Sequence, residues 1–185
     1  MVDDDNARLV DVDDDVRPRS GAVVILEGLD ATGKSSVAAA VYKALPAPVA
    51  LLHAGPPTVT TAIREYVFPL GLASSGYVII CDRWHLGERV WPELFERESL
   101  LPDRESLLQL EENMKYLRVP ILPLFFTRPM KDIAIELQGR GEQGLHLSEA
   151  VKAYGKAMAE SSFAWQNTTM PKATRLIMEW VERVR

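Results

Sequence analysis

A glycine-rich segment constrains the fold of this chain more than any other feature. It spans residues 28–35, reads GLDATGKS, and matches the pattern GxxxxGK(S/T) without a gap. A continuous apolar run rich in β-branched residues, 22–26, precedes it, and an alanine-rich, helix-permissive segment, 34–45, follows it. Strand, glycine-rich loop and helix in this order form the context in which the pattern binds phosphate. The segment therefore predicts a nucleoside triphosphate site.

The chemistry of such a loop assigns roles to its residues. The glycines let the backbone turn tightly, so that successive N–H groups face phosphate oxygens. We expect Lys34 to reach the β- and γ-phosphates of ATP and the Ser35 hydroxyl to ligate Mg²⁺. The residues predicted to bind the nucleotide are Gly28, Ala31, Thr32, Gly33, Lys34, Ser35 and Ser36.

Apolar runs alternate with helix-length segments along the rest of the chain. Further strands are predicted at 49–53, 76–81, 121–126 and 163–167, and helices at 58–70, 105–117, 130–137, 147–161 and 172–184. Strands separated in this way form parallel βαβ units. We therefore predict an α/β fold of the P-loop NTPase type, with an open parallel sheet of about five strands and helices on both faces. Ligands bind such sheets at the carboxyl ends of the strands.

Charge is distributed unevenly along the 185 residues, whose formal net charge is −5. Residues 1–20 hold seven Asp and three Arg, so they carry −4 and leave the rest of the chain near neutral. Like charges and few apolar groups predict an acidic disordered tail over 1–20, followed by one domain over 21–185. A near-neutral domain argues against binding of duplex nucleic acid, which requires a basic surface.

Cysteine content and hydropathy predict a cytoplasmic location and no membrane association. Cys81 is the single cysteine, which excludes an internal disulfide and fits a reducing compartment. The amino terminus is acidic where an export signal would be basic. The longest apolar run, 119–126, is much shorter than a membrane span and contains two prolines.

A second candidate functional group, Asp82, follows the third apolar run. A carboxylate at that edge of the sheet can hold Mg²⁺ or help to deprotonate an acceptor, and it can also cap the following helix. The chain has no NKxD-type guanine motif and is short for a motor ATPase, so its size favours a kinase that acts on a small molecule.

Three motifs resemble the thymidylate kinase family of nucleoside monophosphate kinases, and the stretches 53–57 and 82–88 resemble its divergent phage-type members. Residues 27–30 and 33–35 are similar to that family's EGxD/ExxGK(S/T) motif. Asp82-Arg83-Trp84 is similar to its DR motif, in which Tyr, Phe or His follows. Arg140-Gly141-Glu142 is similar to the start of its mobile lid. The order and spacing of these motifs agree over residues 22–185.

The resemblance implies transfer of a phosphoryl group from ATP, with Mg²⁺, to a deoxynucleoside monophosphate. It implies that Arg83 clamps the acceptor phosphate and that Asp30 accepts a hydrogen bond from a sugar hydroxyl. Because the phosphate loop carries no arginine, a lid at about 138–147 would supply the catalytic cation, with Arg140 the first candidate and Arg128 the second. The resemblance also implies a homodimer. The residues predicted to act in catalysis are Lys34, Asp82 and Arg140, and the predicted Mg²⁺ ligands are Ser35 and Asp82.

The acceptor side departs from the family pattern. His53 to Pro57 replaces the usual Arg-Glu-Pro-Gly-Gly run, so an arginine is missing there and Arg64 is the candidate substitute. Phe68, Trp84 and Trp91 can each stack on a base or belong to the core. The residues predicted to bind the acceptor are Asp30, Arg83, Arg64, Phe68, Trp84 and His53.

Two other functions remain open at this point. The first is a P-loop kinase of another small acceptor, such as a nucleoside, a modified nucleotide or an antibiotic, although Arg83 favours an acceptor that already bears a phosphate. The second is a catalytically silent ATP-binding regulatory module, with which the acidic tail is compatible. Asp82, Arg83 and Arg140 count against that module, because a sensor needs no lid cation.

Overall fold

A computed structural model of the chain describes residues 21–53, 55, 62–142, 144 and 146–185. The predicted acidic tail therefore lies outside the described residues, as do two positions of the predicted lid, 143 and 145. Most of the segment that replaces the family's Arg-Glu-Pro-Gly-Gly run also lies outside them.

The predicted α/β architecture is confirmed. Five strands form one parallel sheet in the order β2-β3-β1-β4-β5. In chain order the elements are β1 (Ala22–Gly28), α1 (Lys34–Ala44), β2 (Val49–His53), α2 (Ala62–Ser74), β3 (Val78–Asp82), a 3₁₀ turn (Leu86–Arg89), α3 (Trp91–Leu94), α4 (Arg104–Tyr116), β4 (Ile121–Phe126), α5 (Met130–Gly139), α6 (Leu147–Glu160), β5 (Gln166–Thr168) and α7 (Met170–Val184). None of the described helices has the length and apolar character needed to cross a membrane.

Strand β1 lies at the centre of the sheet, and all of its residues are buried. Because alternate side chains of a strand point to opposite faces, β1 contributes to two cores. Val24 and Leu26 pack with α1 and α7 on one face. Val23 and Ile25 pack with α2 and α4 on the other. A strand covered on both faces is continuously apolar, which is why this segment was recognisable from the sequence.

Two described element ends differ from the sequence-based predictions by more than two residues. Helix α2 continues through Pro69 to Ser74, because Leu70 and Ala73 beyond the proline are buried against the sheet. The fifth strand was predicted at 163–167 but spans Gln166–Thr168. The Trp165 N–H donates to the Phe163 carbonyl at 3.1 Å, and this turn prevents the preceding residues from pairing with β4.

The phosphate loop starts at Gly28, the last residue of β1, and a substitution there tests the backbone conformation of this turn. Its φ is +132°, and a Cβ there would lie 2.6 Å from the Phe126 carbonyl oxygen. We expect Gly28→Ala to lower the free energy of unfolding by about 3 kcal/mol, from backbone strain and overpacking. Denaturant unfolding of the purified chain measures this change.

Gly155, in the interior of α6, provides the matched control. A Cβ at this exposed position would meet nothing within 4 Å, so Gly155→Ala should raise the free energy of unfolding by about 0.5–1 kcal/mol. Equal effects of the two substitutions would contradict the conformation assigned to Gly28.

Candidate active site

The carboxyl ends of β1 and β3 bring the phosphate loop and Asp82 together. The two strands pair in parallel with Leu26 opposite Asp82, and the loop continues from β1 into α1. Gly33 precedes α1 with φ +93°, and a Cβ there would lie 2.7 Å from the Met170 Sδ. Glycine is therefore required at this turn, as it is at Gly28.

A cavity of about 300 Å³ lies over this loop and joins most of the predicted site residues. It contains all three residues predicted to be catalytic and six of the seven predicted to bind the nucleotide; Gly28 shapes the turn below it. The lining residues are Asp30, Ala31, Thr32, Gly33, Lys34, Ser35, Ser36, His53, Asp82, Arg83 and Arg140.

Lys34 is a buried cation at the base of the cavity. Its Nζ donates to the carbonyl oxygens of Gly28 at 2.9 Å and Leu29 at 2.6 Å. Burial lowers the pKa of Lys34 to about 8, although the nearby carboxylates of Asp82 and Glu27 act in the opposite direction. Below that pH the loop therefore holds a poorly solvated positive charge, which an anion would stabilise.

Ser35 and Asp82 form an oxygen-rich pair suited to a divalent cation. The Ser35 hydroxyl donates to Asp82 Oδ2 at 2.5 Å, and His53 Nδ1 lies 3.3 Å from the same oxygen. Asp82 Oδ1 is buried and has no hydrogen-bond partner among the described residues. A buried carboxylate oxygen without a partner calls for an explanation, and a hard cation bound by oxygen ligands provides one. The residues present thus fit Mg²⁺.

Arg83 and Asp30 form an ion pair within the cavity. Arg83 has a left-handed backbone, with φ +69°, and its N–H donates to the Leu26 carbonyl at 2.9 Å. Its Cζ also lies 5.9 Å from the centre of the Trp91 ring, a cation–π distance. The structure therefore brings together the two residues predicted to bind the acceptor phosphate and sugar.

Two further arginines lie beside the loop. Arg140, at the end of α5, donates to Glu136 Oε1 from Nη2 at 2.8 Å and holds the pKa of Glu136 below its usual value. Arg128 Nη1 donates to the Ala31 carbonyl of the loop at 2.7 Å. Both candidate cations therefore lie near the phosphate loop, and both contact the Glu136 carboxylate, since Arg128 Nη1 lies 3.6 Å from Glu136 Oε2.

A second cavity, of about 410 Å³, shares the loop residues 31–33 and extends past the ends of β4 and β5. Of these segments, sequence reasoning named only Arg128, as the second candidate cation, although both follow strands at the edge of the sheet where ligands bind. This cavity has room for the nucleoside part of a nucleotide whose phosphates occupy the loop. Its other lining residues are Ser36, Thr127, Arg128, Pro129, Glu136, Arg140, Thr169, Met170 and Pro171.

The structure does not bring every predicted acceptor residue into these two cavities. Trp84 is only 5% exposed and packs edge-on against Tyr66 and His85 in the core, so its side chain is not placed to stack on a base there. Phe68 is 56% exposed on α2 and lines neither cavity. Arg64 belongs to the first turn of α2, and its side chain lies outside the described part of the structure.

Glu27 supports the candidate site from below, and sequence reasoning quoted it in a motif but gave it no role. It is fully buried at the end of β1. Its Oε1 accepts from the backbone N–H groups of Trp84 at 2.9 Å and Gly87 at 3.2 Å, and its Oε2 accepts from the Tyr154 hydroxyl at 3.2 Å. Glu27 therefore fixes the segment that follows Asp82 and Arg83. The sequence signal that could have identified Glu27 is a charged residue at the end of an apolar strand.

No model of a known protein family matches the sequence, and no curated protein matches it. Several solved structures resemble the structure of this chain. The YorR protein from Bacillus subtilis, determined with phosphorylated GDP, is 20% identical, with a TM-score of 0.71 over 87% of this chain and 96% of that chain. Polyphosphate kinase 2 from Arthrobacter aurescens TC1 is 14% identical, with a TM-score of 0.72 over 92% of this chain and 71% of that chain.

Thymidylate kinase from Candida albicans is 19% identical, with a TM-score of 0.55 over 89% of this chain and 92% of that chain. At these identities the likeness concerns the fold. The chain shares with these structures the fold of a parallel sheet flanked by helices, and in this chain the glycine-rich loop follows the central strand β1.

Proposed function

We propose that this protein is an ATP- and Mg²⁺-dependent kinase that phosphorylates a deoxynucleoside monophosphate, as thymidylate kinase does. The observation that carries the proposal is that the phosphate-loop residues Lys34 and Ser35 share one cavity with Arg83 and Asp82. A guanidinium in the same cavity as a triphosphate loop can hold a second phosphate near the first. The resemblance of the three sequence motifs supports the same conclusion.

The donor would occupy both cavities. The backbone N–H groups of the loop and the Lys34 ammonium bind the triphosphate, and the nucleoside extends into the cavity beside Arg128. Ser35 and Asp82 would hold Mg²⁺, which supplies charge neutralisation at the β- and γ-phosphates when bound.

In the transfer step, an oxygen of the acceptor phosphate attacks the γ-phosphorus. The bond between that phosphorus and the β–γ bridging oxygen breaks, so the products are ADP and a nucleoside diphosphate. A phosphate monoester already carries close to two negative charges at neutral pH, so the attacking oxygen needs no general base. Asp82 therefore serves as a metal ligand in this mechanism, and catalysis consists of positioning and charge stabilisation.

The ion pair between Arg83 and Asp30 bears on the nature of the acceptor. A phosphate that binds Arg83 takes the place of the Asp30 carboxylate, which then becomes free to accept from a sugar hydroxyl. An unphosphorylated nucleoside offers Arg83 no such replacement. The arrangement thus favours a monophosphate over the corresponding nucleoside.

The proposal predicts which acceptors will turn over. Purified protein with ATP and Mg²⁺ should convert at least one member of a panel of dTMP, dUMP, dCMP, dAMP and dGMP to its diphosphate, which chromatography of the products measures. Thymidine should bind at least about tenfold more weakly than dTMP, because a charged hydrogen-bond partner of Arg83 is lost.

Lys34→Ala is the control for turnover that does not depend on the loop. The proposal fails if no monophosphate yields a diphosphate and Lys34→Ala leaves residual ATP turnover unchanged. Equal affinity for thymidine and dTMP would instead favour a kinase of another small acceptor.

A further inference from the structure

We propose that Trp91 and Tyr154 are positioning residues for Arg83, held by a chain of hydrogen bonds that ends at Glu27. The inference rests on the proposed function in one respect, which is that Arg83 binds the acceptor phosphate. It adds two aromatic residues that line neither of the two cavities described above and that belong to the apolar cluster beneath the loop residues Leu29 and Ala31.

The chain joins three elements that are distant in the sequence. The Trp91 indole Nε1–H, in α3, donates to the Tyr154 hydroxyl at 3.2 Å. The Tyr154 hydroxyl, in α6, donates to Glu27 Oε2 at the end of β1, also at 3.2 Å. The two rings meet edge-on, with their centres 6.0 Å apart and their planes at 83°.

The direction of these hydrogen bonds is fixed by chemistry. A carboxylate can only accept, so the single proton of the Tyr154 hydroxyl is directed to Glu27 and its oxygen faces the indole. Tyr154 is fully buried, and burial raises its pKa well above the usual value, so it stays a donor at neutral pH. The hydrogen bond from the Trp91 Nε1–H to this oxygen therefore fixes the orientation of the Trp91 ring.

Gly87 leaves the space that this arrangement needs. A Cβ at Gly87 would lie 3.3 Å from Trp91 Cδ1, which is tighter than ordinary van der Waals contact, and 3.6 Å from Glu27 Oε2. The Gly87 N–H also donates to Glu27 Oε1 at 3.2 Å. The Glu27 carboxylate therefore fixes both the Tyr154 hydroxyl, through Oε2, and the backbone turn at Gly87, through Oε1.

Arg83 benefits from such a support because its side chain is long and flexible. In the described state the guanidinium has Asp30 as an ion-pair partner and the Trp91 ring as a second neighbour. When an acceptor phosphate replaces Asp30, the Trp91 ring is the contact that remains. A fixed ring lowers the entropy that Arg83 must lose when it binds the phosphate.

A double-mutant cycle tests whether Tyr154 acts through Arg83. Titration of the full chain with dTMP should give a dissociation constant about fivefold higher for Tyr154→Phe than for wild type, the effect of one hydrogen bond. ATP affinity should not change. In an Arg83→Gln background, Tyr154→Phe should have no further effect, because coupled residues are not additive. Equal weakening in both backgrounds would overturn the proposal.

Trp91→Phe is the second variant, and it keeps an aromatic ring while removing the indole N–H. It should weaken dTMP binding to a similar extent and should also lose its effect in the Arg83→Gln background. The matched control is Trp165→Phe. It removes an indole N–H that donates to the Ser161 hydroxyl at 2.9 Å, a hydrogen bond in which Arg83 takes no part. This control should leave dTMP binding unchanged.

A spectroscopic readout separates failure of this inference from failure of the proposed function. The indole ¹H–¹⁵N resonance of Trp91, assigned with Trp91→Phe, should shift in Tyr154→Phe and also in Arg83→Gln. These shifts do not depend on any acceptor. If the wild type binds no monophosphate, the proposed function fails while the shifts still support the positioning chain. Absence of both shifts would overturn the chain itself.

Discussion

Replacement of Lys34 by methionine is expected to lower the rate of phosphoryl transfer by roughly 10²–10³-fold. Methionine has a similar length, so the loop keeps its shape but loses the ammonium group that would neutralise the triphosphate in the transition state. The buried position of Lys34 makes this loss large, because charge interactions are strong where water is excluded. Steady-state kinetics with ATP and the best acceptor measure the effect.

Lys43 provides the matched control for this substitution. It lies on the same helix, α1, but is exposed in the last turn, so Lys43→Met should change the rate less than about twofold. If the two variants were equally active, the phosphate loop would not be the site of transfer.

The pH dependence of ATP binding gives an independent check on Lys34. Its pKa is lowered to about 8 in the free protein, so the side chain is charged below that pH and neutral above it. ATP affinity of the wild type should therefore fall as the pH rises through 8, whereas Lys34→Met should show no such fall. A wild-type affinity that is constant from pH 7 to 9 would contradict this assignment.

Arg140→Ala is expected to lower kcat by about 10³-fold, the lower end of the range for an arginine that stabilises a transferring phosphoryl group. Arg140 is half exposed and bound to Glu136, so it must leave that carboxylate to reach the reacting phosphate. Because this contact forms only in the transition state, the affinity for ATP should change little.

Arg128→Ala is the comparison that distinguishes the two arginines. Arg128 already donates to the loop carbonyl of Ala31 and lines the cavity proposed for the nucleoside. Its removal should therefore raise the dissociation constant of ATP more than it lowers kcat. The opposite pattern, in which Arg128→Ala carries the loss in kcat, would exchange the roles of the two residues.

The part of the site that local sequence determines was predictable. A buried central strand must be continuously apolar, and the loop has glycine at two of its three positions with positive φ, Gly28 and Gly33, the third being Ala31. Residues 22–35 therefore carry most of their structure in their own pattern. Asp82 follows from the same logic, because the ends of neighbouring parallel strands lie at one edge. The apolar strand and the glycine turns depend on neighbours in the chain, and the position of Asp82 depends on the parallel pairing of β1 with β3.

The roles of the aromatic residues were not predictable from the sequence. Trp84 and Trp91 both follow the DR motif, and both were compatible with stacking on a base or with the core. The positive φ of Arg83 turns the chain so that Trp84 enters the core, and Trp91 approaches Arg83 through partners on other elements. The partners of Glu27 are 57 to 127 residues away, and only the fold brings them together.

The pairing of Arg83 with Asp30 also affects competition from abundant small anions. Inorganic phosphate or sulfate that binds the guanidinium leaves the displaced carboxylate with no new hydrogen-bond donor. A nucleotide compensates for that loss through its sugar, and a bare anion cannot. With Asp30 bound to the acceptor sugar as proposed, the cavity would bind free phosphate less tightly than a nucleotide, which would keep the acceptor site accessible at the phosphate concentrations of a cell.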